Sequence, residues 1–306
     1  MGRRGMFGSL FNTENNIGTA FSRFQRDYGD MIVVRVIADE APGYLRGKVA
    51  TSYQNGSWSN VENAIRDLPG YGVQENSQSK VYPLNPYLDS SRIKTKGIEI
   101  FLNPGYQADS IPLPGAALKI SMVADQAEID RNGVIFPHNL RRNISYAVEI
   151  PSEQSFASAY PGPFLNRRMR RQYLQIPEEI LPDLDAVLQD IFPEGTSAVS
   201  QVQKMTGIYQ YLQKNYTYSL YPKVSKGVKV HKDPVINFLT RTKQGHCELF
   251  ASAAALLMRR VGLPTRYVSG ILCYRKNSNG DWYYATGDNL HAWIEVYLQN
   301  GSHPVW

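Results

Sequence analysis

The stretch Gly245–Gly262, "GHCELFASAAALLMRRVG", reads as one amphipathic helix, with Phe250, Ala253, Ala254, Leu257 and Val261 on a shared face. Gly262 is a natural C-terminal stop, with Pro264 just beyond it. Cys247 lies outside the apolar stripe, at the mouth of the helix, directly after a glycine and a histidine. There the unsatisfied backbone N–H groups and the positive end of the helix dipole favour thiolate over thiol. The same N–H groups suit an oxyanion formed when sulfur attacks a carbonyl. The plainer reading is a small buried cysteine, a common place for a free thiol.

The strand "HAWIEVYL" (291–298) shifts the balance. Ala292, Ile294, Val296 and Leu298 alternate onto one apolar face, leaving His291, Trp293, Glu295 and Tyr297 on the other. His291 leads that second face, where an imidazole can serve Cys247 first as base and then as acid. Cys247 and His291 are therefore the candidate catalytic dyad. Candidate groove or oxyanion residues are Tyr218, His246, Glu248 and Trp293. Glu248 also suits the helix N-terminus through the dipole, and Arg266 is placed to hold the helix to a sheet.

Working outward, the chain from 173 to 216 carries helical periods, at 177–192 and 197–216. Residues 30–151 carry short runs of strand pattern at 30–39, 43–59, 96–103, 116–125, 133–137 and 143–151, with a turn at Asn55-Gly56. That half suggests a small sandwich or barrel. Strands return after the cysteine helix, so the class is α+β, not alternating βαβ. The expected organisation is an N-terminal lead-in (1–29), a β-rich domain (30–151), a connector (152–172) and a catalytic domain (173–306).

Across 306 residues, 42% hydrophobic and 20% charged, the balance is that of a globular protein. The net charge of +6 is spread out, and its local clusters, such as "RRMRR" (167–171), accompany no nucleic-acid motif. No hydrophobic run approaches the length of a membrane span. Two cysteines make no disulfide framework, and Cys273 in "SGILCYR" reads as a structural thiol. His246, Cys247, Cys273, His291 and His303 lack CxxC or HxxxH spacing, so no metal is expected. Nothing calls for a cofactor.

The run "GHCELFASAAALLMRRVGLPTRYVSG" followed by "HAWIEVYL" resembles the transglutaminase-like superfamily, a branch of the papain-type cysteine enzymes. The matching residues are Gly245, Cys247, Glu248, Phe250 to Ala253, Arg259 or Arg260, Gly262 to Pro264, Arg266 and His291 to Val296. The resemblance implies a papain-like core, with the cysteine helix packed on an antiparallel sheet. It implies acyl transfer through a thioester on protein glutamine or peptide carbonyls, with an amine or water as acceptor. A peptidase of the same fold and a non-catalytic peptide or cell-wall binding module are the alternatives. Weaker similarity upstream, in "YLRGKVATSYQNGSW" and "YLQIPEEILPDL", points to the bacterial membrane-anchored protein-glutamine gamma-glutamyltransferase group. On that footing the chain is an extracytoplasmic (periplasmic or cell-surface) domain, attached to a membrane only through segments outside it. Two departures stand out. His246 replaces the usual tyrosine, and the family's orienting aspartate, shortly after a tryptophan, would fall beyond Trp306. The resemblance thus reads the catalytic domain as truncated at its C-terminal end. Asp288 is an available carboxylate that the family pattern does not support.

Overall fold

The structure, a computed structural model, describes residues 15–16, 25, 27–60, 65–72, 79–84, 93–105, 109–138, 144–152, 164–221, 230–300 and 303–306. The main strands of the first half are β1 (Ile32–Ile37), β2 (Gly43–Ala50), β3 (Thr95–Leu102) and β4 (Ser145–Pro151). Five α-helices follow among the described residues: α1 (Arg167–Tyr173), α2 (Leu181–Ile191), α3 (Gln201–Asn215), α4 (Pro234–Asn237) and α5 (Cys247–Arg260). Strands β5 (Thr265–Cys273), β6 (Trp282–Thr286) and β7 (Leu290–Val296) complete the core.

Local chemistry sets several of these boundaries. Ser200 and Gln203 form a reciprocal capping box that starts α3. Gly262 ends α5 in the left-handed region, at φ 85°. Asn55 and Gly56 both take positive φ, closing a two-residue hairpin between 52–54 and 57–59. The expected connector is in part helical: Asn166 caps α1 through the N–H of Met169, while 153–163 lie outside the described residues. Most of the lead-in lies outside them too, but Gln25 donates to the carbonyls of Asp288 and Leu290.

Two antiparallel sheets organise the molecule. One runs 113–114, β2, β5, β7; the other runs 275–276, β6, β1, β3, β4, 119–122, 80–83, 71–72. The strands of 30–151 therefore do not close a sandwich among themselves. Late strands join both sheets, with β5 beside β2 and β6 beside β1. The β-branched run at Val33, Val34 and Val36 identifies a strand, with Val34 and Val36 in the core and Arg35 and Ile37 exposed, but it carries no information about which strand lies alongside.

One core joins the two sheets, through Val34, Leu45, Ile100, Ile271, Cys273 and Leu290. The second packs α2, α3 and α5 against Tyr53, Trp58, Tyr267, Ala292 and Val296. The faces expected for β7 are observed: Ala292 and Val296 enter the helical core, and Ile294 and Leu298 pack on it. For α5, burial is wider than a single stripe. Of the expected stripe Ala253, Leu257 and Val261 are buried and Phe250 and Ala254 half-buried, while Leu249, Ala251, Leu256 and Met258 are buried too, because sheet lies on one side and helices on the other. In α3, Ile208 and Leu212 are buried, and Val202 and Tyr209 are exposed. No helix among the described residues is long and apolar enough to cross a membrane.

The C-terminal end of α5 is clamped by a buried guanidinium. Arg259 donates from Nε and Nη2 to the carbonyl of Thr265 (3.0 and 2.7 Å), from Nη1 to Gln175 (2.7 Å) and from Nη2 to Thr51 (2.8 Å). It also stands 4.9 Å from the centre of the Trp58 ring, which stacks on Tyr267 at 5.1 Å. Burial pulls its pKa down to about 9. Arg260, by contrast, pairs with Asp185 at the surface, and Arg266 pairs with Glu295 within the sheet rather than tying the helix to it. Arg259→Met strands buried carbonyl groups and should lower unfolding stability in urea by about 3 kcal/mol. Arg260→Met should change it by less than about 0.5 kcal/mol.

Candidate active site

The cysteine is delivered by a short, tightly packed segment. Asp233 caps α4 through the N–H groups of Val235 and Ile236, and its carboxylate accepts from the Tyr53 hydroxyl at 2.9 Å. The chain then makes a π-helical turn over Phe238–Thr242, reverses at Lys243 (φ 50°), and pairs 244–245 in parallel with 217–218. Gly245 has no room for a side chain. A Cβ there would lie 2.6 Å from Leu249 Cδ1 and 3.1 Å from Phe238. Its absence lets the chain pass close beneath α5 and turn directly into Cys247, the first residue of the helix.

Cys247 is 4% exposed. Its sulfur is within hydrogen-bonding reach of the backbone N–H groups of Ala292, Glu248 and Cys247 itself, all favouring the thiolate. Burial acts the other way and is the larger effect; with the neighbouring Glu248 carboxylate it pushes the thiol up to about 12. The helix mouth thus supplies the expected N–H groups, yet the resting sulfur is a neutral thiol, not a free-standing thiolate.

The parallel pairing of Tyr218 with Gly245 brings the Tyr218 hydroxyl within reach of both the sulfur and the N–H of Cys247. Burial of the hydroxyl and the nearby sulfur raise its pKa to about 12, so it remains a donor. The ring is 54% exposed and stacks on Phe250 at 6.3 Å. Behind the cysteine, His246 Nδ1 lies 3.6 Å from Glu248 Oε2, with both side chains almost fully buried. Burial lowers the His246 pKa to about 4, so the imidazole is neutral near pH 7 despite the carboxylate. The Tyr267 hydroxyl, fully buried near Cys247 and Glu248, makes no hydrogen bond among the described residues.

On the sheet side, the N–H that reaches the sulfur belongs to Ala292, the residue after His291. His291 points to the opposite face of β7 from Ala292, and burial lowers its pKa, leaving a neutral imidazole. Its ring is 6.0 Å from that of Tyr44, and the Trp293 ring is 4.8 Å from the same tyrosine. Further along this face Glu295 is held by Arg266 (2.5 Å) and Arg46 (3.5 Å); burial opposes its charge, but the two guanidiniums outweigh burial and keep its pKa low. Asp288 is exposed in a 3-10 turn, its carboxylate against Gly29. Cys273 is buried in the inter-sheet core, its thiol pushed up to about 12 by burial.

Tyr218, His246 and Glu248 are thus gathered around Cys247, and Trp293 stands beside His291 on β7. Tyr44 was not anticipated. It reaches the site by strand pairing across more than half the chain, which leaves no local trace in "PGYLRGK".

The transglutaminase-like superfamily model matches residues 190–306. These residues are similar to transglutaminase-like domains. Across 200 residues the chain is 29% identical to the uncharacterised protein YebA of Bacillus subtilis, covering 63% of this chain and 25% of that protein. Across 135 residues it is 26% identical to a protein-glutamine gamma-glutamyltransferase of Pseudomonas aeruginosa, covering 44% of this chain and 19% of that protein. The chain therefore matches a quarter or less of the length of these relatives. The fold is similar to that of the periplasmic domain of TgpA from Pseudomonas aeruginosa bound to ethylmercury, with a TM-score of 0.69 at 16% identity, covering 96% of this chain and 94% of that one. The likeness extends through the β-rich half, beyond the matched family domain.

Two outcomes follow for the site around Cys247. Glu248→Gln removes a negative charge beside the thiol, so the pKa of Cys247 should fall and its alkylation by iodoacetamide at pH 8 should speed up. His246 has a folded-state pKa below its ordinary 6.5, so its neutral burial favours the fold above pH 6.5, and that contribution is lost as pH falls towards 4. Replacing it, as in His246→Phe, should flatten the acid side of the stability profile by about 3 kcal/mol between those limits, read from urea midpoints.

Proposed function

We propose that the protein is a cysteine-dependent acyltransferase of the protein-glutamine gamma-glutamyltransferase type, with Cys247 as nucleophile and His291 as base and acid. The observation that carries this reading is the thiol at the mouth of α5 within reach of the N–H of Ala292, the residue next to His291. A neutral thiol and a neutral imidazole fit base-assisted attack: in this reading His291 takes the thiol proton as sulfur bonds to the carbonyl carbon of a glutamine side chain. The C–N bond then breaks, His291 returns the proton to the leaving nitrogen, and ammonia departs. In the second half, an amine such as a lysine forms the new C–N bond, the C–S bond breaks, and the amine proton passes back through His291 to sulfur. In this reading Cys247 N–H and the Tyr218 hydroxyl hold the oxyanion in both halves; the nearness of the hydroxyl to Cys247 supports it.

On this reading residues 173–306 form the catalytic unit, with the β-rich 30–151 supporting it. Substrates are proteins or peptides, and no cofactor takes part. The site works outside the cytoplasm, as a domain of a membrane-anchored protein; the similarity to a periplasmic fold supports this placement.

The test compares incorporation of a labelled alkylamine into a glutamine-bearing protein with release of peptide fragments. Cys247→Ala should abolish incorporation, His291→Asn should reduce kcat by about a thousandfold or more, and Tyr218→Phe should reduce it by about tenfold to a hundredfold. Peptide release without amine incorporation would replace transfer with hydrolysis. Incorporation that survives Cys247→Ala would remove the thioester mechanism, and turnover absent from the wild type would favour a binding module.

A further inference from the structure

We infer that Tyr44, a residue of the β-rich half, is a positioning residue for the His291 imidazole: its ring, resting on Trp293 beside Gly270, forms a shelf that holds the base in its working orientation. The inference rests on the assignment of His291 as base, and it begins with strand register. In the sheet β2–β5–β7, Gly270 of β5 stands opposite His291 on one side and Arg46 on the other, and Tyr44 pairs two positions further along, opposite Leu272. Tyr44, Gly270, His291 and Trp293 therefore share one face of the sheet.

Gly270 makes their meeting possible. A Cβ at that position would lie 2.8 Å from Cη2 of Trp293 and would collide with the Leu45 carbonyl. With hydrogen in its place, the Trp293 indole leans across the glycine and meets the Tyr44 ring at 4.8 Å. The Tyr44 ring in turn lies 6.0 Å from the His291 ring, with 31° between their planes. These separations are within the range of favourable aromatic contacts.

Core packing does not account for Tyr44. It is 47% exposed and belongs to neither main core, yet its described ring contacts run to two residues of the "HAW" sequence. Nearby charge is already matched. Arg46, Arg266 and Glu295, on the same face, are tied to one another. Across the strand lie the neutral Cys247 thiol, the Tyr218 hydroxyl and the His246–Glu248 pair. The shelf covers one side of the imidazole, limits its rotation and shields it from water. A base held by packing in this way loses little entropy when it must align with a thiol proton.

The test uses the chain as it stands, with Tyr44→Ala, Tyr44→Phe and Tyr44→Leu compared with wild type. NMR titration of the histidine rings, with His291 assigned through His291→Asn, reads the shelf without any substrate. Removing the ring in Tyr44→Ala should let water reach the imidazole and move its pKa upward by about half a unit or more. Tyr44→Phe should titrate like wild type, and Tyr44→Leu should fall between them. In the amine-incorporation assay, Tyr44→Ala should lower kcat by about tenfold to a hundredfold with KM within about twofold, and Tyr44→Phe should restore kcat. An unchanged His291 titration in Tyr44→Ala would overturn the inference, as would a Tyr44→Phe variant as impaired as Tyr44→Ala. Because the titration needs no turnover, a failure of the acyl-transfer reading would leave it standing and show as a separate result.

Discussion

The arrangement of helices on sheet depends on one guanidinium. Arg259 carries a charge into a region that excludes water, and its cost is offset by carbonyl groups from three separate parts of the chain: Thr51, Gln175 and Thr265. Thr51 and Gln175 lie outside regular elements, and Thr265 opens β5. The side chain thus draws a loop, a connector and a strand start into one shared centre. Trp58 over its face and Tyr267 beneath that indole extend the same centre towards the cysteine end of α5. A lysine has neither the planar fork nor the number of donors to do this.

At the opposite end of the helix the balance is reversed. The helix dipole and three N–H groups favour a charged sulfur, while near-complete burial and Glu248 oppose it, and burial prevails. The result is a buried thiol held in its protonated form, with a neutral imidazole, that of His291, on the neighbouring strand. Such a pair is protected from adventitious alkylation and oxidation, since the reactive thiolate arises only when a proton has somewhere to go.

Much of this was legible in the chain itself. The helix at 245–262, its stop at Gly262, the two faces of "HAWIEVYL" and the hairpin at Asn55-Gly56 are local patterns, and each was read correctly because its cause lies within a few residues. The thiol's protonation was not legible. It depends on how deeply α5 is enclosed, which follows from elements up to two hundred residues away. The same holds for the mixed sheets: β-branched runs announce strands but do not name partners. Arg259, Arg260 and Arg266 show the limit clearly. All three were visible as cations near the helix end, and only three-dimensional neighbours separate the buried clamp from the surface pair and the sheet pair.

Strand β5 runs through both cores, giving Tyr267 to the helical one and Ile271 and Cys273 to the other, while its long edge lies against β2. During synthesis, β1 and β2 leave the ribosome long before the strands that must lie beside them exist. The first half therefore has to wait, with its apolar faces uncovered, until nearly the whole chain is available. Topology of this kind makes folding slow and late. The polypeptide therefore stays threadable until its last strands are free to join.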